Sequence, residues 1–149
     1  MKTISFLGCG DLGFPLALKM LEKGYYVKGS TTTSSKLQQL KKIGIIPYLI
    51  NLDKVIPSDF FDADVLVLTL PYKKSFSNPN IYKNQIKIVC DNVRMSSIQH
   101  IVFTSSSSVY PKDSTIYAVS DNFEPPNLRA KVLLECEKIL NRLENISVI

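Results

Sequence analysis

The run Gly8-Cys9-Gly10-Asp11-Leu12-Gly13 constrains this chain more than any other stretch. Before it comes Thr3–Leu7, in which Ile4, Phe6 and Leu7 are apolar. After it comes Leu12–Lys23, in which Leu12, Leu16, Ala17, Met20 and Leu21 recur at helical spacing. A short apolar run stopped by glycine suits a buried parallel strand. Pro15 falls in the first turn of the helix, where a missing N–H costs little, and Gly24 closes it. The glycines therefore occupy a strand-to-helix turn, the context in which G-x-G-x-x-G has a physical meaning. Gly8 permits the tight turn, Gly10 lets the backbone approach a ligand, and Gly13 lets helix and strand pack closely. The helix start offers unpaired N–H groups and a partial positive charge to phosphates. A glycine-rich turn that binds nothing is the plain alternative.

The rest of the chain continues the alternation. Tyr25–Ser30 reads as a second strand, and Ser34 or Ser35 can cap a helix carrying Leu37, Leu40 and Ile43 that ends at Gly44. Ile45–Ile50 is a third strand. Ala63–Leu70, apolar on both faces and stopped by Pro71, is the strongest. A polar loop from Tyr72 to Asn80 leads to a helix from about Ile81 to Met95, with Ile86, Val89, Cys90 and Val93 on one face. Ile101–Thr104 is a fifth strand. A long loop with Pro111, Pro125 and Pro126 precedes a helix over Leu128–Leu143, and Ile146–Ile149 starts a sixth strand. The pattern predicts an α/β, three-layer Rossmann fold: a doubly wound parallel sheet with helices on both faces. Its ligand should lie at the carboxyl edge, where strand order switches.

Composition narrows the function classes. The net charge of +5 comes from scattered residues without a dense Lys/Arg run, so it reads as solubility plus some attraction for phosphates. No nucleic-acid motif accompanies it. Cys9, Cys90 and Cys136 are odd in number, far apart and without a C-x-x-C pair, and His100 is the only histidine. This argues against a disulfide framework or any metal site, and for buried, reduced thiols in a cytoplasmic protein. The N-terminus runs directly into a strand without a signal-peptide pattern. No apolar run approaches the roughly 18 residues of a membrane span. The expected partners are a dinucleotide and a small-molecule substrate, with neither nucleic acid nor membrane; self-association into a homo-oligomer is left open.

The pyrophosphate-binding turn points to NAD or NADP, held through Gly8, Gly10, Asp11, Leu12 and Gly13. An acid ending the second strand would select NAD through the ribose 2′-hydroxyl. This chain has Gly29-Ser30-Thr31-Thr32-Thr33 there. Hydroxyls of Ser30, Thr31 and Thr32, with Lys36, could bind a 2′-phosphate, so the electrostatics favour NADP. The plain alternative is that Thr32–Ser35 only start the next helix. Leu70 and Pro71 should flank the adenine–ribose side. Lys73 and Lys74 could approach phosphates or an anionic substrate, or be two solvated lysines.

At the fifth strand's end stands Phe103-Thr104-Ser105-Ser106-Ser107-Ser108-Val109-Tyr110-Pro111. A hydroxyl there could hold a substrate carbonyl or alcohol, or simply satisfy a polar turn. The segment resembles the F-x-S-S-x-x-V-Y-G stretch of the extended short-chain dehydrogenase/reductases, the NAD(P)-dependent epimerase/dehydratase superfamily. Val119-Ser120-Asp121 with Pro125 and Pro126 resembles the run before that family's catalytic helix. Asn127-Leu128-Arg129-Ala130-Lys131 falls where the family has Y-x-x-x-K, and Glu135 where it often has an acid. With GCGDLGFPLA and LTLP, the resemblance is to the atypical branch and covers the whole chain. It implies that Ser106 binds substrate, with Ser105 and Ser107 as near candidates, and that Lys131 binds the nicotinamide ribose. It also implies that Asn51 or Asp53 meets the adenine.

The catalytic tyrosine of that pattern is absent. Asn127 in its place cannot ionise and so cannot be a general acid or base. It is, however, a good helix N-cap after two prolines, which would leave Lys131 a solvated lysine. Tyr110 and Tyr117 read as packing residues. The resemblance further implies that residues 1–149 are the cofactor-binding domain, apparently lacking the C-terminal substrate-binding part. Three functions stay open. One is an NAD(P)-dependent oxidoreductase or epimerase acting on a hydroxyl or carbonyl. Another is a non-catalytic dinucleotide-binding module or truncated remnant. The third is a cofactor domain like that of the β-hydroxyacid dehydrogenases, which Gly8–Leu18 and Asp64–Pro71 also resemble, and which needs a catalytic lysine from a second, helical domain.

Overall fold

The computed structural model describes residues 2–72, 78–118, 121–144 and 147–148. Lys73, Lys74, Val119, Ser120 and the ends of the expected sixth strand lie outside the described residues. The order is β1 (Thr3–Leu7), α1 (Gly13–Glu22), β2 (Tyr26–Thr31), α2 (Lys36–Lys42), β3 (Ile46–Leu49), β4 (Val65–Leu68), α3 (Asn80–Arg94), β5 (His100–Phe103), α4 (Leu128–Leu140) and β6 (Ser147–Val148). The six strands form one sheet in the order β3-β2-β1-β4-β5-β6, every pair parallel. This is the doubly wound Rossmann order, and it reverses at β1, between β2 and β4. The Gly8 turn thus stands at the switch point.

Two cores cover the two faces. Ile4, Phe6, Val27 and Val67 pack with Ala17, Leu40 and Ile45 on the α1–α2 side. Leu7, Leu66, Leu68 and Ile101 pack with Ile86, Val89, Cys90, Val93, Leu133, Cys136 and Leu140 on the α3–α4 side. Alternate residues of β1 and β4 face opposite ways, which is why β4 reads as an unbroken apolar run. Ser5, at the middle of β1, is fully buried and donates to the Phe60 carbonyl at 2.7 Å. Phe60 belongs to a 3-10 turn over Ser58–Phe61 that has no periodic signature; Phe60 and Phe61 plug the larger core as adjacent aromatics. All three cysteines are free and buried, as their spacing implied.

The structure corrects several expectations of detail. β4 covers Val65–Leu68 rather than Ala63–Leu70, because the chain leaves the sheet before Pro71, which has no N–H to give. α4 ends at Leu140 rather than Leu143, and amides 142 and 143 tighten onto carbonyls 139 and 140. Leu12, Leu16, Ile43 and Leu128, expected on inward helix faces, are exposed. In α1 the buried positions are Gly13 and Ala17, since a helix this close to the sheet admits only small side chains. Ser35 stands at the N-cap of α2, but its side chain makes no capping bond. Among the described residues no helix is long and apolar enough to cross a membrane, and no cluster of acids, histidines and cysteines could hold a metal.

Candidate functional site

The turn after β1 is tied to both neighbouring strands. Gly8 has φ +110°, the left-handed region open to glycine. Its N–H donates to Ser30 Oγ at 2.9 Å, and the Cys9 N–H donates to the Ser30 carbonyl at 2.8 Å. On the other side, Thr69 Oγ1 donates to the Gly8 carbonyl at 2.6 Å. A Cβ on Gly13 would stand 2.1 Å from the Gly8 oxygen and 2.5 Å from Thr69 Oγ1, so helix and strand meet backbone to backbone. Gly29 makes room for Cys9, whose Sγ would lie 2.7 Å from a Cβ there. Burial pushes the Cys9 thiol up to about 11, so it stays neutral beside any phosphate.

Gly10 is different. A Cβ on it would meet nothing within 4 Å, and its backbone is not left-handed. Nothing inside the protein requires the missing side chain. The space lies above the start of α1, whose first turn carries no side-chain cap. A cavity of about 180 Å3 opens beside it, lined by Gly10, Asp11, Phe14, Pro15, Lys36 and Gln39 along with Cys9 and Leu40. The open glycine, the uncapped helix start and the adjoining cavity fit a dinucleotide's pyrophosphate and ribose.

The expected set at the end of β2 divides. Ser30 is buried and holds the turn, and Thr31 Oγ1 accepts from the Thr33 amide at 3.1 Å. Their hydroxyls organise the protein. Thr32 and Lys36 are exposed, and Lys36 reaches the cavity. Beyond β4, Leu70 is half-buried, with its carbonyl taken by the Tyr82 hydroxyl at 3.0 Å, and Pro71 is exposed. Asn51 is exposed and folds its own side chain onto the Asp53 amide at 3.0 Å.

The serine segment forms a second centre. Ser106 caps a 3-10 turn over Ser107–Val109, accepting from the Ser108 amide, and its hydroxyl lies 2.8 Å from that of Ser108. Ser105 hydrogen-bonds Glu137 of α4. Ser105, Ser106 and Ser107 line a cavity of about 500 Å3 with Tyr110, Asp121, Asn122, Phe123, Glu137 and Asn141. Tyr110 and Phe123 form its aromatic wall and cluster with Tyr117 behind them, with centroids 4.8 to 5.8 Å apart. The Tyr117 hydroxyl donates to Asp113 at 2.8 Å, a bond that raises its pKa, so it is a poor proton donor.

Lys131 is exposed and lines neither cavity. Asn127 is the N-cap of α4, its Oδ1 accepting from the Ala130 amide at 3.0 Å. Glu135 pairs with Lys83 of α3 at 2.9 Å, which holds its carboxyl below the ordinary range. Sequence reasoning missed Thr69 and the tethering role of Ser30. A threonine inside an apolar strand was the visible signal for Thr69.

Comparison with known proteins agrees with this geometry. A family model described as the NAD binding domain of 6-phosphogluconate dehydrogenase matches residues 3–116. Protein YeeZ of Escherichia coli (strain K12) is 32% identical over 154 residues, covering 99% of this chain and 56% of that protein. The chain therefore spans about half the length of the curated relatives it matches. UDP-glucuronic acid 4-epimerase from Bacillus cereus, solved with NAD, superposes with a TM-score of 0.81 at 15% identity, covering 100% of this chain and 54% of that one. A short-chain dehydrogenase/reductase superfamily protein from Agrobacterium tumefaciens with bound NAD gives 0.75 at 15% identity, covering 99% and 47%. These two likenesses are likenesses of fold.

Proposed function

The chain belongs to the family of the NAD-binding domain of 6-phosphogluconate dehydrogenase, and from that premise we propose that it binds NADP in preference to NAD. It would serve as the cofactor-binding part of an oxidoreductase or epimerase acting on a hydroxyl or carbonyl of a small molecule in the cytoplasm. The observation that carries the binding reading is Gly10, whose missing side chain serves no internal purpose and leaves the start of α1 open. The NADP preference is supported by Lys36 in the adjoining cavity and by the lack of a carboxylate ending β2, although Asp11 shares that cavity.

The glycine turn would hold the pyrophosphate through backbone amides, with Ser30 and Thr69 fixing the turn. When bound, the nicotinamide supplies or accepts the hydride. The Ser106 hydroxyl, already paired with Ser108, would hold the substrate oxygen in the cavity it lines. The resemblance to the atypical short-chain enzymes supports this role. The family match over residues 3–116 equally suits the resemblance to the β-hydroxyacid dehydrogenases.

A second reading, a non-catalytic dinucleotide-binding module, is favoured by Asn127. That residue occupies the tyrosine position and is committed as a helix cap. Fluorescence titration with NADPH and NADH tests the binding. We expect enhancement with both and a lower Kd for NADPH; no enhancement and no thermal shift with either would overturn the proposal. Turnover by the intact chain, lost in Ser106→Ala, would reject the non-catalytic reading.

A further inference from the structure

Arg129 lies in the first turn of α4, and its Nε is buried with no hydrogen-bond partner among the described residues. Folded proteins pair nearly all such donors, so an orphan on a cationic group calls for a reason. The guanidinium stands 5.3 Å from the centroid of the Tyr72 ring. Tyr72 in turn meets Tyr82 edge-on at 5.4 Å, and Tyr82 belongs to the first turn of α3. The cation therefore rests on Tyr72, which follows β4 and is itself backed by Tyr82 of α3. Stacking on an aromatic face fixes the plane of the fork.

Its place in the sheet matters as much as its floor. Thr69, which bonds Gly8, precedes Tyr72 by three residues, a span of at most about 11 Å of chain. Arg129 thus stands at the carboxyl edge, beside the segment that follows β4. None of the three ion pairs among the described residues includes it. Glu135, on the same helix, is already paired with Lys83 and also faces Lys131.

We propose that Arg129 is an oxyanion-binding residue, which receives a carboxylate or phosphate group brought to the carboxyl edge. Arg129 is half-buried, so part of its side chain remains exposed to solvent. An oxyanion held side-on by Nε and one Nη would give Nε the partner it lacks. The anion is the substrate's own or belongs to the dinucleotide. That choice rests on the proposed function, whereas the orphan donor does not.

The test follows the Arg129 Nε–H resonance in 15N-labelled protein, assigned with Arg129→Lys, which keeps the charge but has no Nε. Inorganic phosphate and acetate are titrated with and without saturating NADH, against chloride at equal ionic strength. We expect a saturable shift with phosphate or acetate beyond the chloride control, and phosphate binding about tenfold weaker in Arg129→Met. A shift that persists with NADH present assigns the anion to the substrate. A shift produced by NADH itself, with loss of the phosphate response, assigns it to the cofactor. No shift with phosphate, acetate or NADH, or unchanged phosphate affinity in Arg129→Met, overturns the proposal. NADH fluorescence on the same samples reports the dinucleotide site separately, so one reading can fail while the other stands.

Discussion

The carbonyl oxygen of Gly8 lies 2.1 Å from the point where a Cβ on Gly13 would stand, so the turn and the first helix are in direct backbone contact. Gly13→Ala cannot be accommodated without moving the backbone. It should cost about 1–3 kcal/mol, as overpacked positions do, and weaken the cofactor site with it. Gly10→Ala is the counterpart. Its Cβ meets nothing within 4 Å, so stability should change by less than about 0.5 kcal/mol. NADPH affinity should nevertheless fall at least about tenfold, roughly 1.4 kcal/mol. Urea unfolding and fluorescence titration of the two variants separate packing from ligand approach.

Ser30→Ala removes the acceptor for the Gly8 amide in a buried setting. An orphaned donor of this kind should cost about 1–3 kcal/mol in thermal or urea denaturation. Cofactor affinity should fall alongside stability, because Ser30 acts through the turn.

Lys36→Glu reverses the charge in the cavity beside Gly10. NADPH should weaken about tenfold or more, corresponding to roughly 1.4 kcal/mol, while NADH changes far less. Equal losses for both cofactors would show that Lys36 does not read the 2′-phosphate.

Asn127→Ala removes the side-chain cap of α4 and should cost about 1 kcal/mol, within the usual range of 0.5–2. Asn127→Asp keeps an acceptor and should remain close to wild type. Melting temperatures of the two variants check this.

Stability should fall in alkaline solution. Burial pushes Cys9 and Cys90 up to about 11 and Cys136 to about 12, against an ordinary 9.0. Above pH 9 the unfolded chain has released thiol protons that the folded chain retains. The unfolded state then binds fewer protons, so stability declines with rising pH. The stabilising contribution is complete below about 9 and is lost progressively towards 11–12. Urea midpoints from pH 7 to 11 should show the decline, and a Cys9→Ala, Cys90→Ala, Cys136→Ala variant should flatten it.

The glycine turn was legible because each of its requirements is local: an apolar run, three glycines and an amphipathic run in register. Alternation of strands and helices likewise announced the doubly wound sheet, since periodicity reflects which side of each element meets the core. The two centres read less evenly. Ser30 and Thr31 looked like ligand-facing hydroxyls, yet their strand packs them beneath the turn, where an amide takes each one. Lys131 followed a familiar spacing, but the rotation of α4 leaves it in solvent.

By itself the sequence determined the fold class and the place of the glycine turn, because those follow from hydrophobic period and from the conformational freedom of glycine. Only the tertiary structure decided which hydroxyls are spent holding the turn, which glycine leaves room for a ligand, and that Arg129 comes to rest on Tyr72. Those outcomes depend on residues far apart in the chain, brought together by strand order and helix rotation, and no local pattern encodes them.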